Sequence, residues 1–300
     1  MASLREIRRK IKSVKSTEQI TRAMKMVAAA RMRRAQSSIL AARPFAVRLD
    51  ELCRSVAGRI DRELNSTATD LPQSLQRYFK RGSGAPLLVL IAADKGLCGA
   101  FNSNLIRAAL NWMTKHRGQK FYVIAVGRKS RDFFKRLNGF DSEMLHEMVG
   151  IFPKVSFTHA EILGQSILSS YKDKNISNVT VLYNEFKSVA QQKLVESPLL
   201  PIEPLSVKQD QSSLENYEFE PSQSALLEAL LPRYLKAQLY RILLESQAAE
   251  LSARMNAMDA ASKNAKELRG ALNLSLNRQR QAIITNEIAE LVGGAEALAS

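Results

Sequence analysis

The segment GLCGAFNSN at 96–104 sets two glycines and a thiol between an apolar run and a helical one, where a phosphate-binding loop would sit. A phosphate cradle needs backbone N–H groups converging at a helix N-terminus, in the spacing GxxxxGK[ST] or GxGxxG. Neither spacing occurs, so Gly96 and Gly99 read as the tight turn that joins a strand to a helix. Asp94 beside Lys95 could form a catalytic acid–cation pair, but an aspartate placed there is read as a turn cap. Cys98 lies close to a helix start, which can lower a thiol pKa. With no histidine or acid at a matching spacing, it reads instead as a small buried apolar group. His116, His146 and His159 lack metal-ligand spacing, and Cys53 and Cys98 form no CxxC pair. No catalytic, cofactor or metal site is therefore expected.

What remains to explain is charge. The 300 residues carry a formal net charge of +15, and residues 1–60 hold fifteen Lys/Arg against four Asp/Glu. Residues 223–299 are nearly neutral, with nine basic and eight acidic side chains. A basic excess predicts an acidic partner: nucleic acid, an anionic membrane surface or an acidic protein. A helix lying on a membrane needs Trp, Phe or Leu along one face, and residues 5–43 offer only Leu40. The longest apolar run, LLVLIAA at 87–93, is far shorter than the ~20 residues that cross a bilayer. Two distant cysteines predict a reducing compartment. The start MASLREIRRKIK has no apolar secretory core, although an Arg-rich start is also what a mitochondrial presequence has.

Three blocks of elements must position whatever function there is. Residues 3–43 contain no Gly or Pro, and Pro44 is the first helix breaker. Leu4, Ile7, Ile11 and Val14 step by three and four, a coiled-coil seam. Strict continuation would put Glu18, Thr21 and Lys25 on that seam. Ile20, Ala23, Met24 and Val27 are expected to take it over, rotating the apolar face as a stammer or stutter does. This first helix should reach about 60 Å at ~1.5 Å per residue. The middle block, 75–215, changes period. PLLVLIAAD (86–94), KFYVIAVG (120–127), NVTVLYNEF (178–186) and the weaker QQKLVESPLL (191–200) read as strands. Helical stretches around 103–116, 128–138 and 156–172 alternate with them, which predicts a small Rossmann-like α/β domain. Residues 207–224 read as a polar loop. The last block, 222–295, places Leu235, Leu239, Ile242, Ser246, Ala249, Ala253, Asn256 and Ala260 on a second seam. Pro232 is expected to kink this helix or mark its start. The expected architecture is thus α plus α/β: an antiparallel coiled coil of the N-terminal (1–60) and C-terminal helices around a central α/β domain.

Three motifs, one in each block, carry a resemblance. ITNEIAELVGGA (284–295) fits the pattern I-T-x-E-x-x-E-x-x-x-G-A. IRRKIKSVKSTEQITRAMKMVAAARMRRAQ at the N-terminus and DKGLCGAFNSN in the centre accompany it, as does LPRYLKAQLYRILLESQAAELSARMNAMDAASKNA (231–265). Together they resemble the gamma subunit of the F-type ATP synthase, over nearly the whole chain.

The resemblance implies a non-catalytic rotor. In this family the terminal helices form a shaft inside a hexamer of alternating alpha and beta subunits. The α/β domain is its foot, seated with the epsilon subunit on the membrane c-ring. Ion flow turns ring and shaft, and the shaft drives the beta catalytic sites through their states for ATP synthesis or hydrolysis. Carried over by position, Met24, Lys25, Arg280, Gln281 and Thr285 are the expected contacts with beta-subunit loops. Ile284, Thr285, Glu287, Glu290, Gly294 and Ala295 complete the family signature. No cofactor and no nucleic acid are expected. The loop at 207–224 lacks the paired cysteines of the chloroplast redox switch. The implied location is peripheral, on the cytoplasmic side of a bacterial inner membrane, in preference to the mitochondrial inner membrane. From the residues alone, a basic coiled-coil scaffold that binds nucleic acid is the alternative, distinguished by steep salt dependence.

Overall fold

A computed structural model of the chain describes residues 4–65, 72–203 and 223–299. Helix α1 spans Leu4–Asn65 and a one-turn helix α2 spans Gln73–Gln76. Then come β1 (Ala85–Ile91), α3 (Phe101–Lys115), β2 (Phe121–Val126), α4 (Arg128–Lys135), β3 (Ser142–Met148), α5 (Phe157–Asp173), β4 (Ile176–Phe186) and β5 (Gln192–Leu200). Helix α6, Gln223–Ala299, closes the chain. It divides into two compact units, Met1–Ala29 with Arg254–Ser300, and Ala30–Ala253.

The larger unit holds the sheet, ordered β3-β2-β1-β4-β5, with β5 antiparallel to β4 and the other pairings parallel. Leu87 to Ala93 are wholly buried, as a central parallel strand covered on both faces must be. Leu88 and Leu90 join a core with Phe101, Leu105, Ala109, Trp112 and Met113 of α3, and Ala249 of α6 belongs to the same core. Where β2 turns into α4, Gly127 has φ 88°, and a Cβ there would lie 1.9 Å from the Ala92 carbonyl oxygen, so only glycine fits. Ile242–Ser252 of α6 is buried on every side of the helix. Its polar groups therefore need partners: Gln247 Nε2 donates to the Phe152 carbonyl at 2.9 Å, Ser252 Oγ to that of Val189 at 2.6 Å, and Arg241 to Glu245 at 3.2 Å. In this unit α1 runs antiparallel to α6. Arg43 faces Glu245, the Ala46 carbonyl accepts from Gln238, and Asp50 accepts from Tyr234.

In the smaller unit the same order holds, with Glu18 facing Arg269 and Lys25 facing Asp259. Along α1 the side chains turned inward are Ile7, Ile11, Val14, Glu18, Thr21, Lys25 and Ala28, an unbroken alternation of threes and fours that continues through Met32, Ala35 and Ile39. The expected phase shift does not occur. Ile20 and Val27 are 57% and 52% exposed, while Thr21 is buried. The strict seam persists because each polar residue on it is bonded. Thr21 Oγ1 donates to the Thr17 carbonyl at 2.9 Å, and Glu18 and Lys25 pair across the helices.

Four further expectations change. Pro44 does not end α1, which has 62 residues and a length of about 93 Å. Pro44 and Leu40 both face solvent, where water can satisfy the carbonyl a proline leaves unbonded. Pro232 does not mark the start of the last helix but lies inside α6, whose 77 residues extend about 115 Å at regular helical rise. β3 is a fifth strand the sequence pattern missed, because SEMLHEM is rich in helix formers and mostly half-buried at the sheet edge. On α6 the inward set beyond Ala253 is Met258, Ser262, Ala265, Arg269 and Leu272, so Asn256 and Ala260 point to solvent. A 3.6-residue helix drifts relative to a 3.5 repeat, and the seam resumes in a new phase. The loop expected at 207–224 lies outside the described residues except for Gln223 and Ser224, which open α6.

Candidate functional site

The residues that might have done chemistry in the centre of the chain are occupied in holding the fold. Asp94 follows β1 and is buried. Its Oδ1 accepts the backbone N–H of Arg128 at 3.0 Å and of Gly150 at 2.8 Å, and its Oδ2 that of Phe152 at 3.3 Å. It thereby caps α4, a helix 34 residues downstream, and ties the loop after β3 to the strand ends. The reading of Asp94 as a cap is right in kind but not in place, since the helix beside it, α3, starts from Ala100 without a side-chain cap. Asn102 Oδ1 accepts from Ala93 N–H, and its Nδ2 donates to the Lys95 carbonyl and Cys98 sulfur. The glycine turn is thus closed over its own side chains. His116 stacks on Trp112, its Nδ1 2.8 Å from the Trp112 carbonyl oxygen. His159 Nδ1 accepts the Ser156 N–H in a reciprocal cap of α5. Cys53 is buried, and desolvation reinforced by Asp50 pushes its thiol up to about 12. Among the described residues no cluster of His, Cys, Asp or Glu could hold a metal ion. No helix among them is long and apolar enough to cross a membrane.

The remaining candidates lie on the long helices. Lys25 is on the seam, its Nζ 2.6 Å from Asp259 Oδ1, and Lys263 reaches the other oxygen of Asp259 at 3.1 Å. Hydrogen bonds from Lys25 and then Lys263 hold the Asp259 carboxyl below its ordinary pKa. Met24 is half-buried beside it. The side chains that stand out from α1 here are Ile20, Met26 and Val27, which the sequence pattern places on the seam or passes over. Position relative to the strict heptad is the signal that finds them. Residues three, four or seven from a seam position stay on the seam. Ile20 and Val27, seven apart and each one residue before a seam position (Thr21 and Ala28), form a second stripe of their own.

On α6, Arg280, Gln281, Ile284, Thr285, Glu287, Glu290 and Gly294 are all exposed, and Ala295 lies in the same helix. Ile288, Leu291 and Val292 are exposed with them, Leu291 by 75%. The antiparallel register explains why. Glu18 faces Arg269, so Leu4 falls opposite about residue 283 at equal rise, and no described residue of α1 extends farther. Arg280 is 21 residues beyond Asp259 along α6, roughly 30 Å at 1.5 Å per residue. The structure therefore does not bring Met24 and Lys25 together with Arg280, Gln281 and Thr285. They form two separate surfaces. A row of large apolar side chains in water is unfavourable on its own and characteristic of a surface that another protein covers.

Known proteins are similar to this chain over nearly its whole length. Residues 3–298 match the family model described as ATP synthase. The ATP synthase gamma chain of Elusimicrobium minutum is 44% identical over 99% of both chains. That of Pelotomaculum thermopropionicum is 44% identical over 99% of this chain and all of its own. Among solved structures, a chain of the central stalk and c-ring of the Tetrahymena thermophila mitochondrial ATP synthase is 27% identical, with a TM-score of 0.58, covering 81% of this chain and 99% of that one. A chain from the Euglena gracilis mitochondrial enzyme is 18% identical and shares the fold, with a TM-score of 0.66 over 98% of this chain and 94% of its own. None of these is a nucleic-acid-binding scaffold, and that alternative is left without support. With the family model matched over nearly the whole chain and relatives at 44% identity along their full length, the chain belongs to the ATP synthase gamma chains.

Proposed function

We propose that this chain is the central rotor of its ATP synthase and contains no residue that acts on the transferred phosphoryl group. Residues 1–60 and 222–295 serve as the shaft, and 75–215 as the foot. The shaft turns inside a hexamer of alpha and beta subunits, while the foot, with the epsilon subunit, rides on the c-ring. The observation that carries this reading is the uncovered apolar stretch of α6, Ile283 to Val292, at the end of a helix too long to be buried by its own chain. A hexamer that encloses this stretch removes its apolar surface from water. Rotation then requires contacts that exchange. Met26, Ile20 and Val27 supply apolar surface without a directional bond, methionine being the most adaptable of them. Met24, Lys25, Arg280, Gln281 and Thr285 are the contacts with the moving loops of beta, and the basic excess of α1 favours loops that are acidic. The complex lies on the cytoplasmic side of a bacterial inner membrane, and this chain is attached to it only through the other subunits.

Reconstitution with the alpha and beta subunits of the same organism tests this reading. A stable assembly whose ATPase activity needs this chain, and falls when residues 267–300 are removed, is expected. Failure of the full chain to assemble in salt that suppresses charge-only association would overturn it.

A further inference from the structure

Within the larger unit, α6 meets α1 through a polar face. Tyr234, Gln238, Arg241 and Glu245 recur at intervals of four, three and four, which places them on one side of the helix. Tyr234, Gln238 and Glu245 are each at most 4% exposed, so their polar atoms depend on protein partners. Tyr234 Oη donates to Asp50 Oδ1 at 2.9 Å, and Gln238 Nε2 donates to the Ala46 carbonyl at 2.9 Å. Four residues separate the two donors and four separate the two acceptors, so both contacts belong to one antiparallel register. Arg43 Nη2 lies 3.9 Å from Glu245 Oε1, one turn farther along α6. Arg241 ties the face together, donating to Gln238 Oε1 at 3.1 Å and to Glu245 Oε1 at 3.2 Å.

The apolar side chains of α1 do not select that register. Those buried or half-buried in this unit fall into two series, each with a period of seven: Met32, Ile39, Ala46 and Cys53, and Ala35, Ala42, Leu49 and Val56. A slip of one heptad, about 10 Å at 1.5 Å per residue, sets each of them where another had been. On a seam of this kind a polar group is what specifies register. The polar contacts do not survive the slip. Ala46, with no side chain beyond Cβ to screen its carbonyl, is replaced by Ile39 or Cys53. Asp50 is replaced by Arg43 or Ala57, neither of which offers a side-chain acceptor to Tyr234. Arg43 is replaced by Gln36 or by Asp50, the second a like charge beside buried Glu245. Each buried donor left without its acceptor disfavours the slipped register by roughly tenfold.

We propose that this polar face is a register lock, which holds α1 and α6 at one axial offset so that the pair does not slide when it carries torque. The torque follows from the rotor reading and rests on it; the lock itself is a property of the folded chain.

The test is double electron–electron resonance on the full chain, with spin labels at Leu40→Cys and Glu228→Cys, both exposed positions. The native cysteines, Cys53 and Cys98, are buried. In this register Leu40 falls opposite residue 244, 16 residues from Glu228. The labels are therefore offset by about 24 Å along the axis, and a slip changes that offset by about 10 Å. The native chain should give a single distance. The variant Arg43→Leu/Tyr234→Phe/Gln238→Leu removes the lock and leaves each charged partner another: Asp50 keeps Arg54 at 2.8 Å, and Arg241 and Glu245 keep each other. It should fold and show a second distance displaced by about 10 Å. Leu49→Ala, which removes buried apolar surface from the same stretch of α1, should lower Tm and keep the single distance. A single distance in the triple variant would overturn the proposal. So would a second distance in Leu49→Ala, because any weakening would then let the helices slip. A triple variant that does not fold would also overturn it, since the contacts would then supply stability and not register. Assembly of the unlabelled native chain with alpha and beta subunits, measured in parallel, keeps the two readings apart. Failure to assemble overturns the rotor reading and leaves the lock; a chain that assembles and confers ATPase activity, while the triple variant keeps one distance, loses only the lock.

Discussion

At the scale of single residues, charge is used to fix geometry, and pH is the way to see it. Glu143 accepts hydrogen bonds from Lys120 and Lys174, and these hold its pKa down to about 2 from an ordinary 4.5. A carboxyl whose pKa is lower in the folded chain adds stability above its unfolded pKa and loses it as pH falls through the folded value. The same sign applies to Asp259, lowered by Lys25 and Lys263. Thermal unfolding should therefore shift to lower temperature as pH falls from about 4.5 towards 2. Glu143→Gln should flatten that dependence, and an unchanged slope would show that the two lysines do not hold Glu143 in solution. Cys53 gives a second measurement. Its thiol, buried and raised to about 12, is almost wholly protonated at neutral pH, and the thiolate is the reactive form. Maleimide should label Cys53 only on unfolding, at a rate that rises with denaturant.

At the scale of the element, α1 carries two stripes, one turned inward and one exposed. The inward stripe tolerates polar residues where they are bonded, so Thr21→Val should change stability by no more than about 1 kcal/mol, toward greater stability, because the hydroxyl bonds only within its own helix. The outward stripe is not needed by the isolated chain. Ile20→Ser with Val27→Ser should leave its unfolding free energy within about 1 kcal/mol, since surface substitutions seldom exceed ±0.5 kcal/mol each. The pair should weaken assembly with the hexamer, measured by the ATPase activity that the chain confers. The outward stripe was hidden in the sequence by the assumption that apolar residues mark the seam. Ile20 and Val27 are apolar and exposed; Glu18, Thr21 and Lys25 are polar and on the seam. Only cross-helix partners such as Asp259 and Arg269 decide between them, and a single helix pattern does not contain its partner. β1, β2 and β4 were legible because continuous β-branched runs suit strands covered on both faces. β3 was not, because an edge strand need not be apolar. The exposed end of α6 was legible from length and motif together. Which of its side chains face outward followed only from the register set by Glu18 and Arg269.

At the scale of the whole molecule, covered and bare apolar side chains lie on different stretches of one continuous helix. Ile242–Ser252 is enclosed by the core of the larger unit, whereas Ile283–Val292 is bare. A globular protein normally hides its apolar side chains in its own core, and α6 does both along 77 residues. The two stretches should respond to mutation in opposite ways. Leu244→Ala leaves a cavity at a fully packed position and should cost about 2–5 kcal/mol. For a unit of this size that lowers Tm by roughly 5–15 °C. Below that transition the variant should still confer ATPase activity on the hexamer. Leu291→Ser with Val292→Ser removes only exposed apolar surface. Its Tm should match that of the wild-type chain to within a few degrees, at about 2–4 °C per kcal/mol, and its ability to activate the hexamer should fall. Calorimetry and ATPase assays on the same two preparations give the four values required. If Leu291→Ser/Val292→Ser unfolds early, residues 283–292 are covered by the chain itself. If it unfolds normally and activates fully, the apolar end of α6 is not where the shaft meets its bearing.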